Sequence, residues 1–117
     1  SYNIFDRDLS LDYIQKAAKK GIAVIARQPF YSGLIFREAQ EFDFFTSFWS
    51  PAELGIKFCL GTPGVLAVVL GLWSKEQVKA ALAALSANKL SSVARAQLIK
   101  IGDSITERLG LSVSTEI

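Results

Sequence analysis

The stretch that decides the fold class is residues 21–35, which read Gly-Ile-Ala-Val-Ile-Ala-Arg-Gln-Pro-Phe-Tyr-Ser-Gly-Leu-Ile. Residues 22–26 form a short, continuously apolar run rich in β-forming side chains. Such a run is typical of a parallel strand that is covered on both faces. Gly21 can end a preceding helix in the left-handed conformation, and Arg27-Gln28-Pro29 ends the strand. The stretch therefore predicts a central strand that follows a helix and leads into a turn.

A helix is predicted before this strand and a long loop after it. The helix runs from Ser10 to Lys20, with Ser10 as its N-cap and apolar residues at spacings of three and four. Residues 30–49 hold a cluster of aromatic side chains with little periodicity. This pattern indicates a long loop with room for a short helix.

The unit of helix and strand then occurs a second time. Ser50 and Glu53 form a capping box around a first-turn proline, which predicts a helix over residues 51–60. The glycines and proline of residues 61–64 end that helix. Residues 65–70 repeat the pattern of a buried strand.

Two further helices are predicted in the last part of the chain. Ser74 and Gln77 form another possible capping box, and the helix they begin should stop near Asn88. A final helix spans roughly residues 92–109, and Gly110 ends it before a polar tail. The apolar positions that share one face of the first of these helices are Val78, Ala81, Leu82 and Leu85.

Alternating helices and strands predict right-handed crossovers and a parallel sheet, which places the chain in the α/β class. Tyr2 to Phe5 has the composition of the tail of one more strand. At 117 residues the chain is short for such a fold, and we expect it to be part of something longer. In a complete α/β barrel the chemistry lies at the C-terminal ends of the strands, which here are the turns near Asn3, Arg27 and Gly71.

Composition excludes several classes of function. The chain carries 13 basic and 11 acidic residues without a basic cluster interleaved with aromatics, so nucleic-acid binding is not predicted. Without histidine, and with Cys59 as the single cysteine, it offers no cysteine- or histidine-based metal site and no Ser-His or Cys-His pair. A lone cysteine favours the cytoplasm or another reducing compartment. Glycine and proline at 61–64 interrupt the most apolar stretch, residues 58–73, so no membrane span is predicted.

Three stretches resemble the C-terminal part of the aldo/keto reductase family, in the order in which the family has them. Tyr-Asn-Ile-Phe-Asp-Arg at 2–7 resembles the end of its sixth strand. Residues 21–35 resemble its seventh strand and following loop, commonly Gly-Ile-x-Val-x-Ala-x-x-Pro-Leu-x-x-Gly-Leu-Leu. Residues 54–71, followed by Glu-Gln-Val at 76–78, resemble the eighth-strand segment. The resemblance runs from Tyr2 to about Ser92.

The resemblance implies a partial (β/α)8 TIM barrel that contains only the C-terminal strand-helix units. Residues 1–90 would be that part of the barrel, and residues 91–117 a C-terminal helix and tail. It also implies NADPH as the cofactor and the reduction of aldehydes or ketones to alcohols. The implied cofactor-binding residues are Tyr2 under the nicotinamide ring, Pro29, Phe30, Ser32 and Gly33 along the pyrophosphate, and Gly71, Ser74 and Gln77 near the adenosine phosphate.

Simpler explanations exist for the same residues. Ser74 and Gln77 are accounted for by a helix cap, Gly33 and Gly71 by turns, and Tyr2 by the edge of a core. The functional interpretation depends on the order and spacing of the matching stretches.

The chain departs from the family pattern where adenine would bind. Ala80 and Ala81 stand where members usually carry Glu-Asn, and alanine side chains cannot accept a hydrogen bond from the adenine amino group. Trp73 stands where small residues are common, and Leu70 replaces the usual proline. The catalytic tyrosine, aspartate, lysine and histidine of the family belong to the part of the barrel before Ser1, so no catalytic residue is assigned.

Two functions therefore stay open. In the first, the chain is the cofactor-side fragment of an NADPH-dependent reductase, inactive alone, and an N-terminal half completes the fold. In the second, it is a non-catalytic, pseudoenzyme-like structural or regulatory subunit whose protein partner covers the sheet edge and the aromatic residues of 42–49. A symmetric dimer of half-barrels is a third arrangement.

Overall fold

The computed structural model describes residues 1–9, 11–71, 74–86 and 89–111. Its elements alternate between helix and strand, which confirms the predicted α/β class. In chain order they are α1 (Leu11–Lys19), β1 (Val24–Arg27), α2 (Leu34–Arg37), a 3-10 helix (Ala39–Phe42), α3 (Asp43–Thr46), α4 (Pro51–Leu60), β2 (Val65–Val69), α5 (Lys75–Ser86) and α6 (Ser92–Arg108). The predicted N-cap at Ser10 and the end of a helix near Asn88 lie outside the described residues.

The strand β1 begins two residues later than the apolar run suggests. The N–H of Ile22 donates to the carbonyl of Ala17 at 2.9 Å, and the N–H of Gly21 donates to Ala18 at 3.0 Å. With Gly21 at a φ of 77°, this is the Schellman arrangement that closes α1. Ile22 therefore belongs to the end of the helix, and strand pairing starts at Val24.

The strands β1 and β2 pair in parallel. Val24 lies opposite Val65, an irregularity follows it, and Arg27 at the end of β1 lies opposite Val69 at the end of β2. The N-terminal segment adjoins the same end of β1, because the N–H of Tyr2 donates to the carbonyl of Arg27 at 3.2 Å. The C-terminal ends of both strands thus meet at one edge of the sheet.

Only one face of the sheet is covered by the described residues. Ala26 is buried, and Val24 and Val68 pack against the core. Alternate residues point the other way: Ile25 is 54% exposed and Val69 56% exposed. The prediction of strands covered on both faces is therefore wrong for this chain, because the described helices lie against a single face.

The helix α5 carries a second open apolar surface. The shared face predicted for it includes Val78, Leu82 and Leu85, and all three side chains are exposed. The buried position is Ala84, whose carbonyl accepts a hydrogen bond from Nζ of Lys57 on α4 at 3.3 Å. Alanines let α5 approach α4 closely, while the larger apolar side chains remain in solvent.

The segment predicted as a long loop is more regular than expected. Residues 34–46 form α2, the 3-10 helix and α3 in succession. Phe42 and Phe45 enter the core from this segment, whereas Phe44 and Phe48 are exposed. Each helical piece is only four residues long, too short to produce the periodicity from which a helix is recognised.

The last helix is tied to the first residues of the chain. Buried Arg7 donates to Asp103 on α6 at 2.7 Å and to the carbonyl of Ile4. Gly102 allows this approach: a Cβ atom there would lie 2.6 Å from the Ile4 carbonyl oxygen. Whether residues 1–90 and 91–117 are separate units stays a prediction.

The open face of α5 can be tested by two substitutions. We expect Leu82→Glu to change the free energy of unfolding by less than about 0.5 kcal/mol, because the side chain is exposed. Ala84→Leu forces a larger side chain into the contact between α5 and α4 and should cost about 1–3 kcal/mol. Urea denaturation followed by circular dichroism measures both. Equal costs at the two positions would contradict the described packing of α5.

Candidate functional site

A cleft of about 790 Å³ opens beyond the C-terminal ends of β1 and β2. Arg27 and Val69, the last residues of the two strands, line its base together with the turns that follow them. Clefts at this end of parallel strands are the usual ligand sites of α/β folds. The cleft brings together six of the residues that the sequence singled out: Pro29, Phe30, Ser32, Gly33, Gly71 and Gln77.

The loop between β1 and α2 has an unusual backbone. Gln28, Tyr31 and Ser32 have φ angles of 56°, 48° and 54°, and Gly33 follows at 84°. Residues other than glycine rarely adopt this left-handed backbone conformation. Each one that does stores of order 1 kcal/mol or more of strain. Strain of this kind persists only where surrounding contacts hold the backbone, and it occurs preferentially at ligand sites.

Helix α4 supports the underside of this loop. A Cβ atom at Gly55 would lie 2.9 Å from the carbonyl oxygen of Pro29 and 3.2 Å from the ring of Phe30. A larger residue would push the loop off the helix. Gly55 is therefore a residue of the site that sequence analysis missed, since its role depends on a close approach between distant parts of the chain.

The opposite wall of the cleft is formed by Gly71 and the start of α5. A Cβ atom at Gly71 would meet no atom of the other described residues within 4 Å, so they leave the backbone here open to the cleft. The hydroxyl of Ser74 accepts a hydrogen bond from the N–H of Gln77 at 3.2 Å, which confirms the predicted N-cap. Ser74 caps the helix beside the cleft, and Gln77 lines it.

Tyr2 lies apart from the cleft, in the core. Its ring is 3% exposed and stacks against Phe58, with 6.1 Å between the ring centres. Its hydroxyl accepts a hydrogen bond from Arg95 at 2.8 Å, and the guanidinium of Arg95 lies 4.2 Å above the Phe58 ring. In this arrangement the Tyr2 ring has no face open to a nicotinamide.

Further cleft residues could not be recognised from the sequence. Gln28 and Phe36 line the cleft, and the rings of Phe36 and Phe30 are 5.0 Å apart. The sequence places Gln28 at the end of the strand, and Phe36 lies in the segment without periodicity. All five residues of β2 are apolar, so no alternation in the sequence distinguishes Val69.

The cleft contains neither the cysteine nor a metal-binding group of side chains among the described residues. Burial raises the pKa of the Cys59 thiol to about 12, and the thiol donates to the Tyr2 carbonyl at 3.2 Å. A thiol with this pKa is protonated near neutral pH and unreactive. No group of three or more potential metal-binding side chains and no helix able to cross a membrane occurs within 1–9, 11–71, 74–86 and 89–111.

The burial of Cys59 predicts both its reactivity and a pH dependence. We expect the folded chain at pH 8 not to react with Ellman's reagent and the unfolded chain to react quickly. The folded pKa is raised from 9.0 to about 12, so the stability gained from the neutral thiol is complete below about pH 9 and is lost as the pH rises towards 12. Cys59→Ala should flatten the fall in unfolding free energy over that range. Rapid labelling of the folded chain would contradict the buried thiol.

The similarity of this chain to a known protein lies in its fold. No protein-family model matches the chain, and no curated protein matches it. Among solved structures it is similar to the aldo-keto reductase AKR11C1 from Bacillus halodurans in its holo form, with a TM-score of 0.66 and 25% sequence identity. The match covers 86% of this chain and 40% of the reductase chain. The chain thus has the structure of a segment of an aldo/keto reductase, and the resemblance found in its sequence to that family is confirmed.

Proposed function

We propose that this chain is the cofactor-side segment of an NADPH-dependent aldo/keto reductase that reduces aldehydes or ketones to alcohols. The single observation that carries the proposal is the cleft beyond β1 and β2, where six residues implied by the family resemblance come together. Bound NADPH would supply the hydride. The groups that transfer the proton would come from strand-helix units other than those described.

The loop after β1 is suited to hold the pyrophosphate of the cofactor. The N–H groups of Ser32 and Gly33 have no hydrogen-bond partner among the described residues. Consecutive amides in a left-handed stretch form concave sites for anions. Arg27 adds a positive charge at the base of the cleft. These groups would bind and orient the diphosphate without any change in the strands.

The start of α5 is suited to the phosphate of the adenosine part. The N-terminus of a helix carries a partial positive charge and free amides, which favour an anion. α5 is 12 residues long, and Ser74 and Gln77 stand at its beginning. Gly71 keeps the approach to this end of the helix open.

Adenine itself would be held less firmly than in a typical member of the family. Ala80 and Ala81 lie on α5 where the family usually has side chains that bind the adenine amino group. Each missing hydrogen bond costs on the order of 1 kcal/mol of binding free energy. We therefore expect weak binding of the cofactor relative to other reductases.

The two alanines also favour the second function, a reductase-like subunit without catalytic activity. Such a subunit would keep the fold and lose the affinity for the cofactor. It would bind a protein partner tightly through its exposed apolar surface, which includes Ile25 and Leu66 on the sheet and Leu82 on α5. Phe44 and Phe48 add exposed aromatic side chains.

The open surfaces support a partner in either case. The chain spans 40% of the length of the reductase it matches, and the remaining strand-helix units of a barrel would have to lie beside β2 and α5. A parallel strand added at the edge of β2 would pair with its backbone, closure of the sheet into a barrel would cover the open face that carries Val69, and the helix of the added unit would cover Leu82 and Leu85. The buried free thiol of Cys59 supports a reducing compartment such as the cytoplasm.

Blocking the cleft at Gly71 tests the proposed function. The Cβ atom of Gly71→Leu would meet no atom of the other described residues within 4 Å, so we expect the midpoint of thermal unfolding to be unchanged. The new side chain fills the cleft and should weaken NADPH binding about tenfold or more, measured by quenching of tryptophan fluorescence. Ala96→Leu, an exposed change on α6, is the control and should bind like the unaltered chain.

The same titration separates the two functions. NADPH binding that Gly71→Leu weakens about tenfold or more and Ala96→Leu preserves supports a reductase segment. If the unaltered chain, also when extended by the upstream part of a longer protein, does not quench with NADPH and instead co-purifies with a protein partner, the non-catalytic subunit is the correct function.

A further inference from the structure

We propose that Arg37 is a positioning residue that turns the N–H of Gly33 towards the cleft by holding the carbonyl of Ser32. Nη1 of Arg37 donates to the Ser32 carbonyl oxygen at 3.0 Å. The same nitrogen lies 3.4 Å from where a Cβ atom of Gly33 would stand, so the guanidinium rests against the backbone at this point. The inference rests on the proposed binding of NADPH at the loop.

The geometry of the peptide bond carries the argument. In a trans peptide the C=O of one residue and the N–H of the next point in opposite directions. Holding the Ser32 carbonyl against Arg37 therefore fixes the Gly33 N–H on the side away from Arg37. That N–H has no hydrogen-bond partner in the described part of the chain, so it is available to an anion.

Arg37 lies on the other side of the loop from the cleft. Gly33 lines the cleft, Arg37 lines a separate cavity of about 540 Å³ between the loop and the end of α6, and Ser32 lies between them and lines both. The neighbouring Glu38 accepts from Arg108 at 2.7 Å, which ties this part of the chain to α6. Arg37 is thus placed to act through the backbone and not as a direct ligand of the cofactor.

The conformation of Ser32 explains why the loop requires such a contact. Its φ of 54° is unfavourable for a residue with a side chain, and Gly33 beside it offers little resistance to rotation of the shared peptide. A charge-assisted hydrogen bond from a guanidinium is strong enough to favour one orientation. Without it, the peptide would exchange between orientations and the Gly33 amide would face the cleft only part of the time.

The test compares Arg37→Gln with the control Lys79→Gln, which removes one positive charge from an exposed position on α5. Spectra of the ligand-free chain, labelled with 13C and 15N, report the Ser32 carbonyl and the Gly33 amide. We expect Arg37→Gln to move or broaden both signals and to weaken NADPH binding by about tenfold. Lys79→Gln should do neither, and Arg37→Lys, which can still donate, should recover most of the affinity.

Two results would overturn the inference. Weaker binding by Arg37→Gln with unchanged Ser32 and Gly33 signals would mean that Arg37 contacts the cofactor directly. Changed signals with unchanged binding would mean that the orientation of this peptide does not matter to the ligand. If the unaltered chain fails to bind NADPH, the proposed function fails, while the ligand-free spectra still decide whether Arg37 holds the peptide.

Discussion

The parallel pairing of β1 and β2 is the constraint on which the rest of the structure depends. Because Arg27 and Val69 lie opposite each other, the turns after both strands leave the sheet at the same edge. An antiparallel pair would have sent them to opposite edges, and no common cleft would exist. The connection that makes the pairing parallel is the long segment through α2, α3 and α4, which also supplies one wall of the cleft. The parallel pairing of β1 and β2 therefore determines both the arrangement of the elements and the position of the cleft.

Close contacts between distant parts of the chain hold the elements around the cleft in place. Gly55 lets the loop after β1 rest on α4, and Gly102 lets α6 rest on the N-terminal segment. Buried Arg7 and its partner Asp103 hold that second contact. Burying a charge is costly without a partner, so the pair favours one placement of α6 more than it adds net stability. These contacts hold the loop after β1 against α4 and hold α6 against the N-terminal segment.

Much of the fold could be predicted because its signals are local. The cap at Ser50, with Glu53 three residues on, fixed the start of α4, and the apolar run after residue 64 fixed β2. Six residues that the matching stretches singled out line one cleft, and their role there stays a prediction. What could not be predicted depends on contacts across the chain. Tyr2 is drawn into the core by Arg95, and Arg37 acts on Ser32 through a loop whose shape no local pattern encodes.

The places where sequence and structure disagree share one physical cause. The sequence gives β1 and β2 apolar residues on both faces and gives α5 a stripe of large apolar side chains, which are patterns of surfaces meant to be covered. In the described structure the helices cover one face of the sheet, and α5 turns its alanines to α4. Ile25, Val69 and Leu82 are left in solvent. These exposed apolar side chains do not contribute to the stability of the described chain. Their burial would lower the free energy. Both mismatches are thus apolar surfaces that the described helices leave uncovered, and not faults in the local signals that place the strands and the helix.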